Sequence, residues 1–298
     1  MQHITDVHGL QLQNTAVALG KFDGFHRGHQ LLLRQVGEWQ AQGMTGVIFT
    51  FRFPENKRGR LIDSAPEKLH KAEMSGIQVF LEYPFTQEFA DQTPEMFVRK
   101  ILVDQLHVRA VAIGTDYRFG KNRSGDADTM KRLGEQYGFT VAVFEKLTCR
   151  NEAISSTSIR DGILQGDMEF AAEAMGKGYS IYGEVIHGAG LGHTIGIPTI
   201  NQGIAEDKLL PPYGVYLARC HIDGTILYGI ANLGCKPTVS DAHIAGLETY
   251  LFDYDGNAYG KNVEVELLHY IRKEMQFENV EDLLDQMHKD IQYAKNML

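Results

Sequence analysis

Two structural classes succeed one another along this chain: an α/β domain with a parallel sheet comes first, and a mainly β barrel with a terminal helix follows. Two observations predict this, and the charge is divided between the same two parts. Apolar strands alternate with helical stretches up to about residue 178, and beyond that point strands are separated by turn signals instead. The length of 298 residues suits two units of about 100–200 residues each. The formal charge of −9 divides unevenly, with 21 basic against 22 acidic side chains up to residue 180 and 8 against 16 after it.

In chain order, residues 15–20 read as a short buried strand, and residues 28–42 as a helix with Leu31, Leu32 and Val36 on its apolar side. Further strands are expected at 47–51, 79–81, 111–113 and 141–144, alternating with helices near 66–74, 94–106 and 126–137. Short helices starting near Ser155 and Asp167 lead to Gly176-Lys177-Gly178, which marks the boundary between domains 1–178 and 179–298. Strands then fall at 181–186, 215–221, 225–231, 249–252 and 263–268, with Asp223-Gly224 and Asp255-Gly256 as hairpin signals. The final helix, from Asn279 to about Lys295, gathers Val280, Leu283, Leu284, Met287 and Ile291 on one face and is expected to pack over the barrel.

The acidic balance argues against a general grip on nucleic acid or an anionic membrane. A near-neutral first part can hold a polyanion at a local basic site, whereas the second part would need backbone amides or a metal. Cys149, Cys220 and Cys235 form neither a disulfide framework nor a CxxC pair, as expected of a reducing compartment. No leader-like segment opens the sequence, and no apolar run approaches the roughly 20 residues of a spanning helix, so the expected location is cytoplasmic.

The first chemical constellation follows the first strand: Gly20-Lys21-Phe22-Asp23-Gly24-Phe25-His26-Arg27-Gly28-His29. A strand end, a glycine turn and a helix start are where phosphates bind in α/β sheets, because free amides and the helix dipole favour negative charge. His26 and His29, with Gly28 between them, can both reach a triphosphate, and as imidazolium donors they would stabilise charge on a pentavalent phosphorus. A zinc site would need a third ligand that no nearby Cys or HExxH pattern supplies.

His26-Arg27-Gly28-His29 resembles the HxGH signature of the nucleotidylyltransferase superfamily. The longer loop resembles the adenylyltransferase module of prokaryotic bifunctional riboflavin kinase/FAD synthetases. Gly114-Thr115-Asp116-Tyr117-Arg118-Phe119-Gly120 resembles that family's GxDFRFG segment, and Ile154-Ser155-Ser156-Thr157-Ser158-Ile159-Arg160 its ISSTxIR segment. The resemblance implies a Rossmann-like nucleotidylyltransferase domain. Its implied nucleotide ligands are Gly20, Phe22, Asp23, Gly24, Gly28, Ser155, Ser156 and Thr157, its catalytic groups His26, His29 and Arg160, and its flavin contacts Asp116, Arg118 and Phe119. An arginine one turn into a helix adds bidentate phosphate binding to the dipole, although the hydroxyls there can equally be caps. Where the family carries a Pro-His-Pro-like element, this chain has Phe51-Arg52-Phe53-Pro54. Gly120-Lys121 is not a P-loop, because five residues separate Gly114 from Gly120 and Asn122 stands where Ser or Thr is required.

The second constellation is Gly188-Ala189-Gly190-Leu191-Gly192 followed by Gly196-Ile197-Pro198-Thr199-Ile200-Asn201. It is not a dinucleotide fingerprint, since Pro198 blocks the helix that should follow. It resembles the flavokinase signature, a glycine loop before GxPTxN. That resemblance implies nucleotide contacts at Gly188, Gly190 and Gly192, magnesium ligands Thr199 and Asn201, a catalytic Glu248, and flavin contacts at Arg272 and Glu274. Leu191 occupies a loop position that is commonly Arg in the family. Neutral oxygen ligands suit Mg²⁺, which supplies the positive charge that this half lacks. A strand glutamate such as Glu248 would otherwise belong to a solvated face.

The implied function is a bifunctional enzyme of FAD biosynthesis with ATP as co-substrate: riboflavin becomes FMN in the barrel, and FMN becomes FAD with release of pyrophosphate in the first domain. Both steps would use Mg²⁺. The partners implied are small molecules, riboflavin, FMN and ATP, with no nucleic acid, no membrane, and the chain a monomer or weak homo-oligomer. Alternatives are retention of one activity only, a flavin-binding regulatory protein derived from the enzyme, or transfer to another phosphate ester.

Overall fold

A computed structural model describes residues 1–54, 59–188, 197–237 and 243–298, with side chains described at 197–235 and 245–298 in the last two stretches. The chain forms two compact units: residues 1–59 with 68–155, and residues 60–67 with 156–298.

The first unit is built on six parallel strands: β1 (Gln2–Ile4), β2 (Thr15–Leu19), β3 (Thr45–Arg52), β4 (Val79–Pro84), β5 (Val108–Gly114) and β6 (Thr140–Phe144). Their order is β1-β4-β3-β2-β5-β6. Alternate residues of the strands serve opposite cores, as the period of two requires. Ala16, Ala18, Ile48, Phe80, Ala110 and Ala112 face α1 (Arg27–Ala41) with its buried Leu32, Leu33 and Val36. The small alanines let that helix lie close on the sheet. Val17, Leu19, Val47, Phe49, Val111 and Ile113 point the other way, toward Phe97, Val98, Ile101, Met130 and Leu133.

Helix α2 (Ala65–Met74) follows β3, and α3 (Gln87–Ala90) and α4 (Pro94–Phe97) follow β4. The single helix expected over 94–106 is thus a short α-turn that continues as a π-helix over Val98–Val103. Helix α5 (Ala127–Tyr137) is started by Asp126, whose carboxylate accepts from Thr129 N at 2.9 Å, and stopped by left-handed Gly138 at φ 79°. A two-stranded ribbon, β7 (Thr148–Cys149) and β8 (Glu152–Ala153), closes this unit.

The second unit opens with α6 (Ser156–Gln165) and α7 (Met168–Met175), the latter capped by Asp167 and ended by Gly176 at φ 77°. Six antiparallel strands follow: β9 (Tyr179–Ile186), β10 (Thr199–Gly203), β11 (Gly214–Ile222), β12 (Thr225–Pro237), β13 (His243–Leu251) and β14 (Asn262–Arg272). They close in the order β10-β13-β12-β11-β14-β9. Asp223-Gly224 is the hairpin turn joining β11 to β12, with φ of 50° and 75° at its two residues. Asp255-Gly256 is not a hairpin. Strand β13 pairs with β10 and β12 while β14 pairs with β11 and β9, so the segment between β13 and β14 is a crossover. The last helix, α8 (Val280–Lys295), covers β12, with Ile291 and Ala294 against Val215, Leu217, Ile230 and Phe252.

Residues 60–67 belong to this second unit through a buried ion pair. Glu67 and Lys208 meet at 2.7 Å with side chains 2% and 1% exposed. Lys208 also donates to the Ile62 carbonyl and lies over the Tyr179 ring, while Glu67 accepts from the amides of Ser64 and Tyr182. Among the described residues no helix is long and apolar enough to cross a membrane.

Candidate functional site

In the first unit the chain order reverses beside β2: β3 and β4 lie to one side and β5 to the other. Loops leaving the carboxyl ends of β2 and β5 therefore diverge and leave the crevice in which open α/β sheets bind ligands. The loop after β2 is residues 20–26, with His29 in the first turn of α1, and the loop after β5 is residues 115–120.

The first loop is tightly wound, with positive φ at Phe22 (48°), Gly24 (87°) and Phe25 (41°). Two non-glycine residues in that region are unusual, and both rings are buried in the core that holds α1, which fixes the turn. Asp23 is 6% exposed beside them. His26 is the N-cap of α1, its Nδ1 accepting from His29 N at 3.3 Å. This leaves Nε2–H as the donor of a neutral His26 ring. The two imidazoles stack with centroids 3.7 Å apart, and His29 also packs on Phe22 at 4.8 Å. A Cβ at Gly28 would fall 3.2 Å from the His26 ring, and one at Gly20 3.1 Å from the Phe22 ring.

This packing works against the charged form of both rings, which the expectation of two imidazolium donors requires. Burial lowers the His26 pKa to about 4, with Asp116 opposing and Lys146 adding to the shift. Burial, the neighbouring His26 and the charge of Lys68 hold His29 well below its usual value. At neutral pH the pair is therefore neutral and offers N–H dipoles rather than charge.

On the second loop, Asp116 pairs with Lys146 at 2.9 Å. Arg118 is exposed and donates to the carbonyls of Thr115 and Tyr117 in its own loop, while Phe119 is 6% exposed in the core, against Tyr117 and Phe97. The carboxyl ends of β3 and β4 carry an aromatic cluster that the sequence reading missed. Phe51 and Phe89 lie 5.1 Å apart, Phe53 and Phe85 4.8 Å, and Tyr83 and Phe89 5.4 Å. Lys68 of α2 and Lys146, just past β6, were missed as well, because each is far in sequence from the histidine loop. Ser155 falls in the first unit, whereas Ser156, Thr157 and Arg160 fall in the second, where Arg160 donates to the Arg60 carbonyl.

In the barrel, strand register places Asn201 of β10 directly opposite Glu248 of β13, which in turn faces Asn232 of β12. Thr199 lies two residues along the same face of β10, opposite Tyr250. Asn201 is 5% exposed, and Gly188 lies so close that a Cβ there would come within 2.7 Å of the Asn201 amide group. This row presents neutral and anionic oxygens together, a set suited to a hard divalent cation bridging to phosphates. Gly190, Gly192 and Leu191 lie outside the described residues. Arg272 engages Asp290 of α8 through Nε at 3.0 and 2.9 Å and through a terminal nitrogen at 2.7 Å, so its fork pins the helix to the barrel. Glu274 covers Gly234, where a Cβ would overlap its carboxylate. Among the described residues no group of three or more His, Cys, Asp or Glu is placed to hold a metal ion.

Comparison with known proteins follows the same division. Residues 9–158 match the FAD synthetase family and residues 175–298 the riboflavin kinase family. The chain is 35% identical over 306 residues to a bifunctional riboflavin kinase/FMN adenylyltransferase of Haemophilus influenzae, covering 99% of this chain and 98% of the other. It is 34% identical over 308 residues to the protein of that description from Bacillus subtilis, covering 98% and 96%. A solved structure described as a macrolide-efflux protein from Streptococcus pneumoniae superposes with a TM-score of 0.83 at 26% identity, covering 99% and 98%.

Proposed function

Because the chain belongs to the bifunctional riboflavin kinase/FMN adenylyltransferase family, we propose the residues that perform each of its two steps. The enzyme phosphorylates riboflavin to FMN and adenylylates FMN to FAD, with ATP as substrate in both reactions. We assign adenylyl transfer to residues 1–178 and phosphorylation to residues 179–298.

In adenylyl transfer an FMN phosphate oxygen attacks the α-phosphorus of ATP, the bond to the bridging oxygen breaks, and pyrophosphate leaves with that electron pair. His26 and His29 are proposed to donate to the phosphates from the start of α1, where the first-turn amides and the helix dipole would add their own attraction. Ser155, Ser156, Thr157 and Arg160 are proposed as further phosphate ligands on their motif alone. The aromatic cluster at the ends of β3 and β4 offers ring faces for the flavin, with Asp116, Arg118 and Phe119 on the neighbouring loop.

In the kinase step Glu248 takes the proton of the riboflavin 5′-hydroxyl as that oxygen attacks the γ-phosphorus and ADP leaves. Thr199 and Asn201 would hold Mg²⁺, which neutralises phosphate charge when bound. Gly188, Gly190 and Gly192 are proposed to let the phosphates approach the backbone, and Arg272 and Glu274 to flank the flavin. We place the enzyme in the cytoplasm as a monomer or weak homo-oligomer, acting on small molecules with no nucleic acid or membrane partner.

The observation that supports the barrel assignment is the direct cross-strand pairing of Asn201 with Glu248, the proposed metal ligand and the proposed base, on adjacent strands. The test is to incubate the purified chain with riboflavin and MgATP, or with FMN and MgATP, and separate the flavins by chromatography. FMN from the first mixture and FAD from the second are expected. Neither product under any redox condition overturns the reading.

A further inference from the structure

We propose that Lys68 is a further catalytic residue of adenylyl transfer, its ammonium meeting the phosphates of ATP beside the His26/His29 pair and holding pyrophosphate as it departs. The inference rests on the assignment of that pair made above. Its ground is a hydrogen-bonded chain at the carboxyl ends of the central strands. Lys68 Nζ donates to Thr50 Oγ1 at 2.9 Å, and that hydroxyl donates to the Lys21 carbonyl at 2.9 Å. Thr50 is fully buried at the end of β3, and Lys21 belongs to the loop that ends in His26 and leads into His29 of α1. Gly20 N bonds to the Phe49 carbonyl at 3.2 Å, which ties the start of that loop to β3. The ammonium is thus fixed to the histidine loop through a buried hydroxyl rather than swinging from an exposed helix.

Charge gives this position its chemical meaning. The reaction gathers negative charge on the α-phosphate and on the departing pyrophosphate, while burial and mutual stacking disfavour a proton on the two imidazoles. Dipoles from neutral N–H groups orient phosphate without neutralising it. Lys146, another cation near the pair, is committed to Asp116 at 2.9 Å. Arg52, also at the end of β3, directs a guanidinium nitrogen to the Thr5 carbonyl at 3.4 Å instead. Lys68 is the cation whose field falls on His29, and this field is one of the three causes of that ring's neutrality. In the step, Lys68 keeps its protons and donates hydrogen bonds to phosphate oxygen, while the α–β bridging bond breaks toward pyrophosphate.

The reverse reaction isolates the role, because inorganic pyrophosphate is then a substrate that can be titrated against FAD. Lys68→Gln and Lys68→Met are expected to raise KM for pyrophosphate at least tenfold and to lower kcat by about 10²-fold. KM for FAD should hardly change, and Lys68→Arg should recover part of both losses. Riboflavin phosphorylation and the thermal midpoint of each variant check that the chain is folded. Unchanged pyrophosphate kinetics in Lys68→Gln overturns the proposal. So does a parallel rise in KM for FAD and pyrophosphate that Lys68→Arg does not relieve, since that marks a lysine which only props the loop through Thr50. If the unsubstituted protein makes no FAD at all, the assignment of the histidine pair fails, and Lys68 falls with it.

Discussion

At the scale of single residues the site proposed for adenylyl transfer rests on two imidazoles whose charged form burial disfavours. His26 uses Nδ1 as a helix cap, which leaves Nε2–H for the ligand proposed above, so the residue that starts α1 is also the one proposed for the chemistry. The folded pKa of His26, about 4, lies below the unfolded value of 6.5, and that of His29 is lowered too. Stability from both groups is therefore fully present above pH 6.5. As pH falls further the unfolded chain takes up protons that the folded chain refuses, at about 1.4 kcal/mol per pH unit for each group. Thermal unfolding of the first unit should thus weaken from pH 6.5 down to about pH 4, and His26→Asn should flatten the slope. An unchanged slope in that variant counts against a buried neutral His26. Gly28→Val is expected to disturb the same ring, since even a Cβ would stand 3.2 Å from it. FAD formation should fall at least tenfold, about 1.4 kcal/mol in the barrier, while the far-ultraviolet spectrum stays unchanged.

Elements differ in how far their sequence announces them. The β2-loop-α1 unit was legible because every cue agreed: a short apolar run, glycines in the turn, and a 3.6-residue apolar stripe after it. Strand β10 was missed because Thr199-Ile200-Asn201-Gln202-Gly203 has little apolar alternation, and only its partners β9 and β13 make it a strand. Asp255-Gly256 has the composition of a hairpin turn, but pairing partners elsewhere in the barrel decide otherwise. The functional residues followed the same division. The histidines, Asn201 and Glu248 sit in short motifs, whereas Lys68, Lys146 and the aromatic cluster meet only after folding. The Glu67–Lys208 pair is the extreme case, since 141 residues separate two charged groups that alone would read as solvated. Removing one partner leaves the other charge buried, so Glu67→Gln and Lys208→Met should each destabilise the second unit by about 3–5 kcal/mol. Replacing both by apolar residues of similar volume should restore most of that loss. Denaturant unfolding of the two single variants and the double variant measures it, and additive losses would count against a coupled pair.

For the whole molecule, the uneven charge fits the proposed chemistry: a near-neutral first part whose histidines and lysine are proposed to meet phosphate directly, and an acidic second part proposed to recruit a cation. Two reactions on one chain are then separable by residue, because the histidine pair proposed for one lies in the first compact unit and Glu248, proposed for the other, in the second. Glu248→Gln keeps the size of the side chain and removes the base, so riboflavin should no longer yield FMN, with a loss of about 10²–10⁴-fold. Added FMN should still become FAD at the unsubstituted rate. His29→Asn should do the opposite: riboflavin is converted, FMN accumulates and FAD does not form. Chromatographic flavin profiles from the two variants, each started from riboflavin and from FMN, give four outcomes to compare. If a folded Glu248→Gln protein also failed to turn FMN into FAD, the barrel would be taking part in adenylyl transfer, and the assignment of the two steps to separate residue sets would not stand. Mixing the two variants supplies the complementary check, since FMN released by His29→Asn is a diffusible substrate for Glu248→Gln. Restored FAD formation from riboflavin in the mixture is expected. Failure to restore it, with both single half-reactions intact, would mean that FMN does not leave the chain that makes it.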